Sequence, residues 1–355
     1  MSRTEENILI KNALSGPEGL RKLVLRGFEN SAGTRQNITV SFQTFGPEIG
    51  AAPVVLVNHS LTGNSQVSGE NGWWSQLIGP GTTIDTRNYT VLAIDMPGNG
   101  FTGDKEDLIH NYKEFKLRDF ARMYIRVLDI LGVDKLFAAI GGSIGGALAW
   151  EIAALDPDLI DHLIPIATDF KTTDWVLAHC KVQEQILLNS VTPVHDARMH
   201  AMTLYRTPQS LSSKFGNKST EGSGEFEVHN WLSHHGKSLE NRFRLASYKL
   251  MNHLLTTVDI SCGTGKHIRA AEGIRAHKHI ITIDSDCFFL AKENWDAYVE
   301  LATPGAAVSI HEISSIHGHD AFLIEYRQLS KFLTPVFKPQ NFRNEENQYR
   351  ALWSR

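Results

Sequence analysis

The chain has 355 residues, and its 35 Lys and Arg against 39 Asp and Glu leave a net charge of −4, with 42% hydrophobic and 21% charged residues. This balance argues against a nucleic-acid partner and against global disorder. No apolar run approaches the ~20 residues that span a bilayer, and the N-terminal Met-Ser-Arg-Thr-Glu-Glu has no apolar segment behind it.

Taken in chain order, residues 37–45 alternate as a half-buried strand. The apolar runs 52–58, 89–95 and 135–140 read as strands covered on both faces. Residues 117–133 place Leu117, Phe120, Ala121, Tyr124, Val127, Leu128 and Leu131 at helical spacing, with Gly132 placed to cap the C-terminus. A second helix is expected over 145–155, stopped near Pro157, and a strand over 162–167 whose proline suggests an irregular end. After Thr168 the alternation fades, and 170–262 reads as a mostly helical insertion with a loose Gly/Ser/Lys segment at 213–224. Buried-strand texture returns at 278–283 and 306–311, and the tail 339–355 is polar, an expected surface extension. The expected organisation is a core over 1–168 and 269–355 with a helical cap inserted at 169–268.

The most informative segment is 135–150, where Gly141-Gly142-Ser143-Ile144-Gly145 forms G-x-S-x-G between an apolar strand and a helix of small residues. That is the pattern of a nucleophile elbow, a strained strand-to-helix turn that exposes a serine hydroxyl. Such a serine needs a base, and the base an orienting acid. In the α/β-hydrolase arrangement these follow in the order serine, acid, histidine, each after a later strand. Asp284 and Asp286 follow strand 278–283, while His317 and His319 follow strand 306–311. Spacing separates neither pair, and His311 reads as an ordinary polar strand end. An oxyanion would be held by the N–H of Ile144 and, from the loop His59-Ser-Leu-Thr-Gly63, by that of Leu61.

Other signals are weaker. Cys262-Gly-Thr-Gly-Lys266 lacks the first glycine of a phosphate loop. The three cysteines are too few and scattered for a disulfide framework or thiolate zinc site, which suits a reduced, cytoplasmic protein. His234-His235 and His317/His319 have no carboxylate or cysteine at metal-ligand spacing, so no metal is expected. Cys287 reads as a small packing residue.

Together these motifs resemble the homoserine O-acetyltransferase family of α/β-hydrolase-fold acyltransferases. The resemblance rests on His59–Gly63, Trp73-Trp74 with Ile78-Gly-Pro-Gly81, the elbow 141–146 with Ile144 in place of methionine, Ser285-Asp286, and Gly318-His-Asp-Ala-Phe-Leu323. Residues 197–207 also resemble the family's Ala-Arg…Met-x-Thr-Tyr-Arg stretch. It covers roughly 20–335 and selects Asp286 and His319. It implies a mostly parallel sheet with helices on both faces and an inserted cap. It further implies that Ser143, Asp286 and His319 move an acetyl or succinyl group from acyl-CoA to homoserine, for methionine biosynthesis. Arg198 and Asp320 would contact the amino-acid acceptor. CoA is then a co-substrate, no bound cofactor is implied, and pairing of two copies through the cap is expected. Four stretches depart from the family pattern: Gln183-Glu184-Gln185, Arg242-Phe-Arg-Leu-Ala-Ser-Tyr248, a shortened segment between the first cap helix and Arg198, and the loop Met96-Pro-Gly-Asn-Gly100. The alternatives are a serine hydrolase of the same fold and an acyltransferase for another hydroxy amino acid.

Overall fold

The computed structural model describes residues 10–12, 17–220 and 224–337; the polar tail at 339–355 lies outside them. Eight main strands form one sheet: β1 (Arg21–Glu29), β2 (Arg35–Phe45), β3 (Val54–Asn58), β4 (Thr90–Ile94), β5 (Leu136–Gly142), β6 (Ile160–Ile166), β7 (His277–Ile283) and β8 (Val308–Ile313). Their spatial order is β1-β2-β4-β3-β5-β6-β7-β8, with the two-residue strand Lys11–Asn12 on the outer edge of β1. β2 pairs antiparallel with β1 and β4, and from β4 to β8 every pairing is parallel. The expected mostly parallel sheet is therefore present.

β3 and β4 are buried throughout, as their unbroken apolar runs require. β1, absent from the sequence reading, buries Leu23 and Leu25 and exposes Val24 and Arg26, a period-two pattern. β6 carries Pro165 inside the sheet, opposite Gly141, and keeps one register with β7 on either side of it, from His162 opposite His277 to Ile166 opposite Ile281. β8 extends to Ile313, so His311 is inside the strand rather than at its end, its ring stacked on Phe332.

One face of the sheet is covered by α1 (Leu117–Leu131) and α2 (Ile144–Leu155), with Phe120, Tyr124, Leu148 and Trp150 in the core. Gly132 caps α1 in the left-handed conformation, φ 71°. Between β6 and β7 come α3 (Asp174–Asn189), α4 (Pro193–Tyr205), α5 (Pro208–Phe215), α6 (Glu227–Glu240), α7 (Leu245–Leu255) and the short α8 (His267–Gly273). α9 (Ala291–Leu301) links β7 to β8. The opposite face is covered by α10 (Tyr326–Phe337) and by the β3–β4 connection, through Trp74, Leu77, Ile78 and Ile84. No helix among the described residues is long and apolar enough to cross a membrane.

Candidate active site

Ser143 stands between the end of β5 and the first residue of α2, with φ 58° and ψ −130°. A non-glycine residue there is strained, by about 1–3 kcal/mol. The turn holds because its Ser143 N–H bonds Ile166 O at 2.9 Å and its carbonyl accepts from Gly146 N at 2.9 Å. The flanking glycines have no room for a side chain. A Cβ on Gly145 would lie 2.5 Å from Asn58 O, and one on Gly141 would lie 2.5 Å from Gly145 C. A Cβ on Gly142 would lie 2.5 Å from the Phe322 ring, and one on Gly146 2.5 Å from Thr168 Cγ2. Ser143 itself is only 4% exposed.

The loop after β7 and the 3-10 turn Gly318–Leu323 after β8 bring the other groups in. His319 Nδ1 lies 2.6 Å from Asp286 Oδ2, both side chains being almost wholly buried. Asp286 Oδ1 accepts from Phe288 N at 2.7 Å and Phe289 N at 3.0 Å, which fixes the carboxylate. Phe322 joins the two halves: its ring contacts His319 edge-on at 5.6 Å and covers Gly142 of the elbow. Phe288, Phe289 and Tyr205 complete the packing around the imidazole. Ser285 Oγ accepts from Gly318 N at 3.1 Å and donates to Ser315 O, tying the two loops together.

The neighbours left open by spacing lie elsewhere. Asp284 accepts from Ser314 Oγ at 2.8 Å and Ser315 N at 3.0 Å, holding the two strand ends together. His317 Nδ1 lies 3.0 Å from both Arg206 Nη2 and Ser210 Oγ. Geometry thus pairs Asp286 with His319.

The loop after β3 is anchored beside the elbow. Asn58 Nδ2 donates to Gly145 O at 3.2 Å. His59 is buried, with Nδ1 2.7 Å from Ser60 O and Nε2 accepting from Met96 N at 2.8 Å. Burial pushes the His59 ring below its ordinary value, and burial raises the neighbouring Asp95 carboxyl. Gly63 is required here, since a Cβ would lie 2.9 Å from His59 Cβ. Leu61 is buried in this loop, and Ile144, the first residue of α2, carries one of the first-turn N–H groups that have no intrahelical acceptor.

Arg198 on α4 and Asp320 beside His319 face the same region. The Arg198 guanidinium lies 5.8 Å from the Tyr205 ring. Desolvation raises the Asp320 carboxyl, with Arg198 and His319 opposing the shift. Arg242, which sequence reading registered only as a departure, donates to Thr62 O at 2.8 Å in the loop after β3. Burial lowers its guanidinium, and Arg198 adds to that. Its position depends on a contact across 180 residues, which no local spacing reveals.

The α/β hydrolase fold family model matches residues 53–235. The homoserine O-acetyltransferase of Moorella thermoacetica is 31% identical over 85% of this chain and 91% of its own length. The chain belongs to the homoserine O-acetyltransferase family. The homoserine O-acetyltransferase of Salinibacter ruber is 29% identical over 85% of this chain and 92% of that one. Among solved structures, the homoserine O-acetyltransferase from Bacillus anthracis superposes with TM-score 0.79 at 20% identity, covering 90% of this chain and 97% of that one. The esterase E22 superposes equally well, TM-score 0.78 at 18% identity, over 90% of this chain and 99% of its own. At such identities the structures share the fold, and membership of the homoserine O-acetyltransferase family rests on the sequence relatives.

Proposed function

We propose that the chain is a serine-dependent homoserine O-acetyltransferase acting in methionine biosynthesis. The observation that carries the chemistry is the 2.6 Å pairing of His319 Nδ1 with a fully buried Asp286 beside the strained elbow of Ser143. With Nδ1 committed to Asp286, His319 Nε2 takes the Ser143 proton as the hydroxyl oxygen attacks the thioester carbonyl of acetyl-CoA. The N–H groups of Leu61 and Ile144 receive the oxyanion. Collapse expels the CoA sulfur, which leaves with the proton from His319, and an acetyl-serine remains. The hydroxyl of homoserine then gives its proton to His319 and attacks the ester. Ser143 leaves and regains its proton from His319.

The donor is read as acetyl, the group that the names of the similar proteins carry. Arg198 would hold the acceptor carboxylate and Asp320 its ammonium, because a planar guanidinium and a carboxylate are complementary to the two ends of a zwitterion. CoA serves as co-substrate and no bound cofactor is required. The protein would work in the cytoplasm as a pair of copies joined through the inserted helices. Exposed Trp175 and Val182, seven residues apart and so on one face of α3, would supply apolar side chains for that contact.

The test is CoA-thiol release from acetyl-CoA and succinyl-CoA across a panel of hydroxy amino acids, with product mass. The reading requires acetyl-CoA consumption that depends on homoserine and yields O-acetylhomoserine. Equal consumption with no acceptor present would make the protein an esterase, in line with its likeness to esterase E22.

A further inference from the structure

Away from the elbow, at the opposite ends of the strands, a second group of side chains converges. Side chains two apart on a strand share a face. His277 and His279 of β7 do so, and the parallel register sets His277 opposite His162 of β6. The rings of His277 and His279 stack at 4.0 Å with planes 20° apart. His162 Nδ1 lies 3.0 Å from His279 Nε2. One nitrogen from each of the three rings falls within 4.8 Å of the others. Sequence spacing associates only the first two, since roughly 110 residues of inserted chain separate β6 from β7.

We propose that His162, His277 and His279 bind one divalent first-row transition-metal ion, Zn²⁺ being the probe of choice, and that this ion clips β6 to β7. Imidazole nitrogen is a preferred donor for zinc, cobalt, nickel and copper. Tetrahedral coordination at a Zn–N length of 2.0–2.1 Å sets ligand nitrogens about 3.3 Å apart. The 3.0 Å separation of His162 Nδ1 and His279 Nε2 is close to that already. Ser309 Oγ on β8 stands 3.2 Å from His279 Nδ1. Its hydroxyl proton can turn to Lys278 O at 3.5 Å, leaving Ser309 to accept from Nδ1–H. Such an outer partner sets the tautomer that leaves Nε2 with its lone pair. The proton between His162 and His279 then moves to the other nitrogen of His162, so binding needs no change in net ring charge.

Lys278, between His277 and His279 in sequence, turns to the other face of the strand and donates to Ile274 O at 2.6 Å. Phe137 packs on His162 at 5.0 Å and on Phe337 at 5.7 Å, giving the group an apolar flank. His162 and His277 are partly exposed, so an ion can enter from solvent. β7 is seven residues long, which puts His277 on the order of 20 Å from the Asp286 end of the strand. The ion would act on the fold and not on acyl transfer.

The experiment titrates Zn²⁺ into the metal-stripped full chain, free of any affinity tag, by calorimetry and thermal unfolding, and records the visible spectrum with Co²⁺. The expected result is one Zn²⁺ per chain and a raised Tm. Absorption bands of tetrahedral nitrogen-ligated Co²⁺ should appear, with transferase activity unchanged. His162→Gln and His277→Gln should each weaken binding by roughly a hundredfold and abolish the Co²⁺ bands, while the metal-free variants keep wild-type activity. His234→Ala with His235→Ala, and Cys262→Ser, should bind as wild type. The proposal is overturned if the wild-type chain shows neither a Tm shift nor Co²⁺ bands at millimolar metal. It is also overturned if binding follows His234, His235 or Cys262 instead.

Discussion

Asp284 and Asp286 sit two residues apart and do different work. Asp284 accepts from Ser314 and Ser315 and joins two strand ends, whereas Asp286 is wholly buried and takes His319 Nδ1 on one oxygen and two backbone N–H groups on the other. Asp286→Asn should therefore lower kcat about 10³- to 10⁴-fold, because an amide presents the wrong partner to the imidazole. Asp284→Asn should change kcat less than about tenfold and act through stability. Steady-state kinetics with Tm on both variants check this, and a larger kcat loss at Asp284 would reverse the assignment. At the acceptor end, Arg198→Lys should cost roughly 30-fold or more in kcat/KM for homoserine, since an ammonium lacks the planar fork. Asp320→Asn should lose a comparable factor. Both should leave the acetyl-CoA burst unchanged, and wild-type acceptor kinetics in both would remove these residues from the acceptor site. Spacing alone left two acids and two histidines open. The family motifs selected one of each, and geometry pairs the same two. Arg242 escaped because its partner, Thr62 O, lies far away in sequence.

The strand–turn–helix element of β5 and α2 was legible in the sequence because four glycines and a serine in six positions leave few backbones open to it. The structure gives each glycine a distinct neighbour, and that separates two substitutions. In Gly145→Ala the new Cβ would lie 2.5 Å from Asn58 O and 2.7 Å from His59 O, both backbone atoms that cannot step aside. Loss of about 3 kcal/mol is expected, seen as a lower Tm with activity falling alongside. In Gly142→Ala the clash is with the Phe322 ring, which can rotate but also packs on His319. That variant should keep most of its stability and lose activity disproportionately; a Tm loss matching that of Gly145→Ala, with kcat preserved, would contradict it. β1 was missed although Leu23 and Leu25 alternate with exposed neighbours. Its pattern is short and interrupted at Gly27, where the register with β2 shifts. The histidine group on β6 and β7 could not be read at all without the strand register.

At the scale of the whole molecule, the sheet carries the candidate triad on the ends of β5, β7 and β8, and the inserted helices leave it just after β6. Asp169 stands at that exit, 6% exposed, with Oδ1 accepting from Phe170 N at 2.6 Å. Burial, opposed by the Phe170 N–H and Lys171, raises its carboxyl to about 6. The folded state therefore holds this proton more tightly than the unfolded chain. Stability from this group falls as pH rises from about 4 to about 6, and above 6 the cost is complete, at most about 3 kcal/mol. Asn can still accept from Phe170 N–H, so Asp169→Asn should raise Tm at pH 8 and give no advantage at pH 4; equal Tm values at pH 8 would contradict this. Fold and chemistry meet in the acetyl-serine, and the most direct test is to trap it. Acetyl-CoA is mixed with the protein without acceptor, quenched rapidly and analysed by intact mass and peptide mapping, then chased with homoserine. The account predicts one acetyl group on Ser143, absent in Ser143→Ala, that homoserine removes far faster than water does while O-acetylhomoserine appears. An adduct on another residue, or removal by water as fast as by homoserine, would contradict it.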